Sequence, residues 1–323
     1  MPNLKLDDVA LHYQTTGLEE TDGVETIVLI HGLGANLAFW YMGVARWLAR
    51  KYRIIIYDLR GHGRSSVPSA GYTLQHMAED LRRLLDALAI EQAHVVGHSY
   101  GARVALYYAI CNPNRVSTLT VADTQIRSLQ PPLRLRDWTY WPTWKQELEQ
   151  QSLKGLPDDD AVIDFRLLSY LNSVASQSRH GVSGARQGGS SLRRYDMGRR
   201  GAARWEKLLQ NTICSAEFGQ DHQLTLSALQ SVSSPTLAIY GQHSHCLPCC
   251  WRLKELIPQC QVQVVPESGH FHPVTRPRYF VRRLSRFLGD RALAQTDPSR
   301  LGEPRARVQA ARGRRRAHLQ SRD

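Results

Sequence analysis

Ala93-His94-Val95-Val96-Gly97-His98-Ser99-Tyr100-Gly101-Ala102-Arg103-Val104-Ala105-Leu106 is the stretch that decides the fold. Ala93 to Gly97 is a short apolar run that reads as a buried strand. Tyr100 to Cys111 reads as a helix that stops near Asn112-Pro113, because the residue before a proline is pushed out of the helical region. Between them lies a G-x-S-x-G motif, Gly97 to Gly101. A serine on so sharp a strand-to-helix turn is strained and lifts its oxygen clear of the sheet. The flanking glycines let neighbouring backbone come close, and the helix N-terminus adds a positive dipole end. Ser99 is therefore the candidate nucleophile.

Working outward, the same alternation of strand and helix recurs. Val9–Tyr13, Thr26–Ile30, Arg53–Tyr57 and Val116–Ala122 read as strands. Asn36 can cap a helix from about Leu37 to Arg50. Thr73 can cap another, with apolar positions Leu74, Met77, Leu81, Leu84, Leu85 and Leu88 at helical spacing. Later come strands at Thr236–Tyr240 and Gln261–Val265, and helices at Trp251–Ile257 and about Val274 to Leu288. This alternation predicts an α/β fold, a mostly parallel sheet with helices on both faces. Between about Gln125 and Ser234 it breaks. Trp138, Trp141 and Trp144 are followed by a mainly helical pattern and by a glycine- and arginine-rich piece from Arg179 to Arg204. The expected organisation is a core of 1–124 and 235–290, a helical cap insertion of 125–234, and a basic tail of 291–323.

The composition is that of an ordinary globular protein: 323 residues, 42% hydrophobic and 22% charged. The formal charge of +12 raises nucleic acid as a partner. Half of it sits in 291–323, where nine arginines face three acids. A solvated, disordered tail accounts for that segment. Contact of Arg312-Gly313-Arg314-Arg315-Arg316 with nucleic acid or an anionic membrane is the alternative. No run of about 18 apolar residues occurs, and Met1-Pro2-Asn3-Leu4-Lys5 carries no secretory leader, so the expected location is the cytoplasm. The six cysteines are accordingly expected as free thiols.

Four stretches together carry a resemblance: His31-Gly32-Leu33-Gly34, Asp58-Leu59-Arg60-Gly61-His62-Gly63-Arg64-Ser65, Gly97–Gly101 and Ser268-Gly269-His270-Phe271. From about residue 5 to residue 290 the chain resembles the α/β-hydrolase superfamily. The likeness is to its cap-bearing type, which includes esterases, C–C bond hydrolases and dehalogenase-like relatives. The resemblance implies Ser99 as nucleophile and His270 as general base. It also implies an oxyanion hole from the Leu33 and Tyr100 backbone N–H groups. His272 is a competitor expected to line the pocket or lie on the surface. Asp58 is expected to bond local backbone, and His98 to pack under the nucleophile turn.

The acid departs from the family pattern. Most relatives carry it three residues after Gly241, where this chain has Ser244, and no Asp or Glu occurs between Ser231 and Lys254. Asp123, directly after the Val116–Ala122 strand, preserves the order serine, acid, histidine. It stands where some members of the superfamily place the acid.

Cys246-Leu247-Pro248-Cys249-Cys250 with His243 and His245 suggests metal ligands, but a second C-x-x-C is absent, and structural or incidental thiols are the expectation. No metal and no organic cofactor is expected. Trp138, Trp141, Trp144 and Phe165 are expected to cover a pocket for an acyl or aromatic small molecule. The arginines at 179, 186, 193, 194, 199, 200 and 204 could receive an acidic group, but a solvated helix face and flexible loop is the expectation. The expected activity is hydrolysis of an ester, thioester or related carbonyl compound. A C–C bond hydrolase or lyase on the same site, and a non-catalytic binding member of the fold, are the alternatives.

Overall fold

A computed structural model describes residues 3–18, 23–150, 156–165, 167 and 198–289. Its centre is one eight-stranded sheet: β1 (Asn3–Lys5), β2 (Ala10–Gly17), β3 (Thr26–Ile30), β4 (Arg53–Tyr57), β5 (Ala93–His98), β6 (Val116–Ala122), β7 (Thr236–Gly241) and β8 (Cys260–Val265). The strand order is β1-β2-β4-β3-β5-β6-β7-β8. β1 and β2 pair antiparallel at one edge, and every pairing from β4 to β8 is parallel. All residues of β3, β5 and β7 are buried, as strands covered on both faces must be.

Strand alternation splits the core into two layers. Val28, Ile30, Ile55, Tyr57 and Val95 face one side. There they meet α1 (Leu74–Ala87), α2 (Tyr100–Cys111) and α5 (Leu247–Leu256). Ile27, Leu29, Ile54, Ile56 and Val96 face the other, against the helical stretch from Ala38 to Leu48 and α6 (Pro277–Phe287). The α1 helix forms as its spacing dictates. Thr73 Oγ1 accepts from His76 N–H, and Leu74, Met77, Leu81, Leu84 and Leu85 are buried. Truncating one of these leucines to alanine costs about 2–5 kcal/mol.

Two helices differ from the sequence reading. The helix expected at Trp251 begins at Leu247, because Pro248 is well placed in a first turn, where its missing N–H is not needed. The helix expected over Val274 to Leu288 is two pieces, His272–Thr275 and α6. The break is Arg276, at φ −132°, which precedes Pro277 and is pushed out of the helical region.

Between β6 and β7, α3 (Trp141–Gln150), α4 (Gly198–Asn211) and shorter helices Cys214–Glu217 and Leu226–Gln230 form, and no strand from this segment joins the sheet among the described residues. Leu135, Trp141 and Ile163 make a small core of their own, while Trp205, Leu208 and Phe218 pack on the main one. Arg179, Arg186, Arg193, Arg194, the side chains of Trp144, Arg199 and Arg200, and the tail 291–323 lie outside the described residues. Among those described, no helix is long and apolar enough to cross a membrane. All six cysteines are free thiols, and only Cys111 is exposed.

The register aligns the carboxyl ends of the strands. Ile30 is level with Gly97, His98 with Ala122, Ala122 with Ile239, and Gly241 with Val265. The loops that follow β3, β5, β6, β7 and β8 therefore open on one edge, the place where open α/β sheets bind ligands.

Candidate active site

Ser99 sits at the N-terminus of α2 with φ 56° and ψ −123°. Positive φ is costly for a residue with a β-carbon, of order 1–3 kcal/mol, and persists only when the surroundings impose it. They do so by close approach. A β-carbon on Gly97 would lie 2.2 Å from the Gly101 carbonyl oxygen, and one on Gly101 would lie 2.4 Å from that of His31. The Ser99 N–H donates to Ala122 O at 2.9 Å, tying the turn to the end of β6.

The next residue after β6 is Asp123, also at positive φ, 52°, and fully buried. Its carboxylate gathers three donors, two from the end of β7 and the turn after it and one from the loop after β8. Gly241 N–H donates to Oδ2 at 2.7 Å, Ser244 Oγ donates to Oδ1, and His270 Nδ1 lies 2.8 Å from Oδ1. Burial alone would raise this carboxyl, but the His270 hydrogen bond and charge, with the Gly241 N–H, hold it well below the usual carboxylate range. An ionised Asp123 accepts, so His270 carries its hydrogen on Nδ1 and leaves Nε2 as a base. Ser244, three residues after Gly241, is thus a donor to the Asp123 carboxylate.

His270 is held from behind as well. His98 is buried, kept neutral by burial first and then by His270, and its Nε2–H donates to the His270 carbonyl at 2.9 Å. Phe39 stacks on the His98 ring at 4.6 Å. The expectation that His98 packs under the turn holds, with this added contact.

His272 is a correction. It neither lines the cavity nor reaches the surface: it is completely buried, with Nε2 donating to Ile239 O at 3.2 Å and 3.7 Å from Asp123 Oδ2. Burial pushes its pKa down to about 4. The short helix His272–Thr275 turns it inward under β7, which a two-residue offset from His270 does not reveal.

The turn after β3 is fixed by His31. Leu59 N–H donates to its Nε2 at 3.1 Å, so Nδ1 carries the hydrogen and donates to Gly32 O at 2.7 Å. Carbonyl and N–H point opposite ways across a trans peptide, so this bond turns the Leu33 N–H away from His31. Neither Leu33 N–H nor Tyr100 N–H meets an acceptor among the described residues. Both residues line the same cavity as Ser99 and His270. Gly32 has no room for a side chain: its β-carbon would lie 2.8 Å from Ser99 Cβ. Asp58 bonds backbone as expected, accepting from Leu37 N–H at 2.7 Å and Arg64 N–H at 2.8 Å, and it also meets His12 Nδ1 at 2.7 Å.

The cavity measures about 1260 Å³, and Trp138, Tyr140, Phe165 and Phe218 supply aromatic walls. Three polar residues there, Arg103, His245 and Cys246, make contacts that residue spacing does not show. Arg103, one turn along α2 from Ser99, has its Nη1 3.7 Å from buried Asp221 and its Nε without a hydrogen-bond partner. Cys246 Sγ lies 3.9 Å from His270 Nδ1 and 3.3 Å from His245 Nε2. Burial, then Asp123, raises the Cys246 thiol well above its ordinary value, and burial, then His270, pushes His245 down to about 3.

The model of the alpha/beta hydrolase fold family matches residues 25–277. The chain belongs to that family. It is similar to the RutD protein of Variovorax paradoxus (strain S110), named for carbamate hydrolysis, at 27% identity over 86% of this chain and 96% of the relative. It is 27% identical, over 87% of this chain and 91% of the relative, to the 2-hydroxy-6-oxononadienedioate/2-hydroxy-6-oxononatrienedioate hydrolase of Cupriavidus pinatubonensis (strain JMP 134 / LMG 1197). Among solved structures, the enol-lactonase from Burkholderia xenovorans LB400 superposes with a TM-score of 0.60 at 21% identity, covering 89% of this chain and 100% of that one. The chain is an α/β hydrolase, and the expected fold is the one observed.

Proposed function

We propose that the chain is a cofactor-independent hydrolase of an ester, thioester or related carbonyl compound, acting through Ser99, His270 and Asp123. The observation that carries this reading is the 2.8 Å contact of His270 Nδ1 with buried Asp123, on the cavity that Ser99 enters. In the first step His270 Nε2 takes the Ser99 proton as Oγ attacks the carbonyl carbon. Leu33 and Tyr100 N–H groups hold the oxyanion, and Asp123 stabilises the imidazolium. His270 then protonates the leaving group, and water, activated the same way, releases the acyl group. The segment 125–234 serves as the cap, and its aromatic walls favour an acyl or aromatic small molecule.

The test is labelling by a fluorophosphonate probe in wild type, Ser99→Ala and Asp123→Asn. Wild-type labelling that is lost in Ser99→Ala and falls sharply in Asp123→Asn is the expected result. A folded wild type that resists the probe would sink the proposal. A second reading, C–C bond hydrolysis on the same residues, draws on the likeness to the Cupriavidus hydrolase. Turnover of a vinylogous diketone acid without turnover of simple esters would favour it.

A further inference from the structure

Two side chains of the loop after β7, His245 and Cys246, lie beside Asp123 and His270 of the proposed triad. Asp123 Oδ1, Cys246 Sγ and His270 Nδ1 offer one ligand atom each, all within 4.8 Å of one another, and Asp123 and Cys246 are buried. His245 Nε2 lies 3.3 Å from the same sulfur. This is a thiol, two imidazoles and a carboxylate. A tetrahedral zinc ion with Zn–N and Zn–O near 2.05 Å and Zn–S near 2.3 Å sets its ligand atoms apart by about 3.3 Å for N and O and about 3.6 Å for S and N. The observed separations are 2.8 Å for His270 and Asp123, 3.9 Å for Cys246 and His270, and 3.3 Å for Cys246 and His245. These three separations each lie within about half an ångström of that geometry, and His245 joins the group of three through its approach to the Cys246 sulfur.

We infer that Asp123, His245, Cys246 and His270 form an inhibitory site for a thiophilic divalent cation such as Zn²⁺ or Co²⁺. The donor set favours such ions over Mg²⁺ and Ca²⁺, which prefer all-oxygen shells. The exchange balances simply. Cys246 loses its thiol proton to solvent and binds as thiolate. The His270 proton moves from Nδ1 to Nε2, and Nδ1 gives its lone pair to the metal. A histidine with a hydrogen on Nε2 has no lone pair there for the Ser99 proton, so the metal stops catalysis without touching Ser99. Cation binding stands on the side-chain geometry alone. Its inhibitory effect rests on the triad reading.

The experiment separates the two. Purified full-length protein is titrated with Co²⁺ and followed by absorption, where a thiolate-to-cobalt charge-transfer band is expected in wild type and in Cys249→Ser. The band should vanish in Cys246→Ser. Affinity should fall at least about tenfold in His245→Gln, since even the loss of an outer-shell partner costs 10–100-fold. Folding of each variant is checked by thermal melting. In parallel, Zn²⁺ should inhibit ester hydrolysis by wild type, chelator should restore it, Mg²⁺ should have no effect, and Cys246→Ser should resist Zn²⁺ by at least about tenfold. Absence of the band, or a band that survives in folded Cys246→Ser and His245→Gln, overturns the site. A Cys246-dependent band with undiminished hydrolysis overturns the inhibitory role. A Cys246-dependent band in a protein that hydrolyses nothing leaves the cation site standing and faults the triad reading.

Discussion

Replacing Asp123 by asparagine tests the displaced acid most directly, and the hydrogen bonds around it dictate the outcome. Asparagine keeps one acceptor oxygen and replaces the other with an NH₂ group. At Oδ2 the neighbour is the Gly241 backbone N–H at 2.7 Å, a donor that cannot reverse. At Oδ1 the neighbours are the Ser244 hydroxyl, which can rotate, and His270 Nδ1, which can change tautomer. The NH₂ group therefore settles at the Oδ1 position and donates to His270 Nδ1. The imidazole hydrogen is driven to Nε2, and the base is lost at neutral pH while the geometry stays. The equivalent exchange in serine proteases lowers kcat about 10⁴-fold, or about 5 kcal/mol of transition-state stabilisation. The same order is expected here for kcat/KM on a p-nitrophenyl ester, with the melting temperature recorded alongside. A folded Asp123→Asn enzyme that retains more than a tenth of wild-type kcat/KM would refute the reasoning, and with it the assignment of Asp123.

Other outcomes follow from neighbouring contacts. Adding Ser244→Asp to Asp123→Asn restores a carboxylate beside His270, so the double variant should recover part of the lost kcat; no gain in a folded double variant would count against the shared reach of the two positions. Gly32→Ala places a β-carbon 2.8 Å from Ser99 Cβ and should cost about 100-fold or more in kcat, because misplacement by an ångström has that effect; an unchanged kcat would show that the turn yields. Arg103→Met should raise KM about tenfold or more for esters bearing a carboxylate and leave neutral esters little changed, since a charged hydrogen bond is worth about 1.5–3 kcal/mol; an equal change in both would argue against an anion-binding role. His62 and His272 are buried, and burial holds them at about 3 and about 4. Their folded values lie below the unfolded value near 6.5, so the unfolded chain binds more protons as pH falls, and stability is lost from about pH 6.5 downward, by about 2 kcal/mol for each at pH 5. Urea midpoints that are equal at pH 7 and pH 5 would contradict this.

What could be read from the sequence was what backbone geometry writes locally. Ser99 and Leu33 sit in turns whose glycines admit no side chain, so their spacing shows in the residue string. The strands β3 and β4 were legible to the residue because burial on both faces demands apolar runs such as Ile27–Ile30 and Ile54–Tyr57, and β6 because Val116, Thr118, Thr120 and Val121 are β-branched. Asp123 was reachable from its place directly after β6 and from the family resemblance, together with the serine at position 244. Its approach to His270 spans 147 positions of chain and depends on the register of β6, β7 and β8. The same register brings Cys246 to His270. A sequence search for matched metal pairs misses such a cluster, because two of its ligands come from separate loops. Arg103 was passed over because its position one turn from Ser99 says nothing until the walls around α2 are known. His272 was misplaced because loop residues have no periodicity to tell inside from outside.

In the proposed triad the acid stands after β6, between the nucleophile's strand β5 and β7, and the sheet edge shows how His270 reaches it. Ser99 follows β5, Asp123 follows β6, and His270 comes from the loop after β8, so that loop must cross the end of β7 to reach them. The crossing is close: a β-carbon on Gly241 would lie 2.3 Å from Gly269 O. His243 N–H donates to Ser268 O at 2.9 Å as the loop passes, and His98 takes hold of the His270 carbonyl on the far side. With the loop pinned at both ends, the imidazole meets its carboxylate at the end of β6, and position 244 donates one hydrogen bond to that carboxylate. Serine suffices there, and its Oγ also accepts from Cys246 N–H at 3.1 Å. That second bond fixes the turn that carries Cys246, so Ser244 links the carboxylate of Asp123 to the backbone of the residue whose thiol lies beside His270.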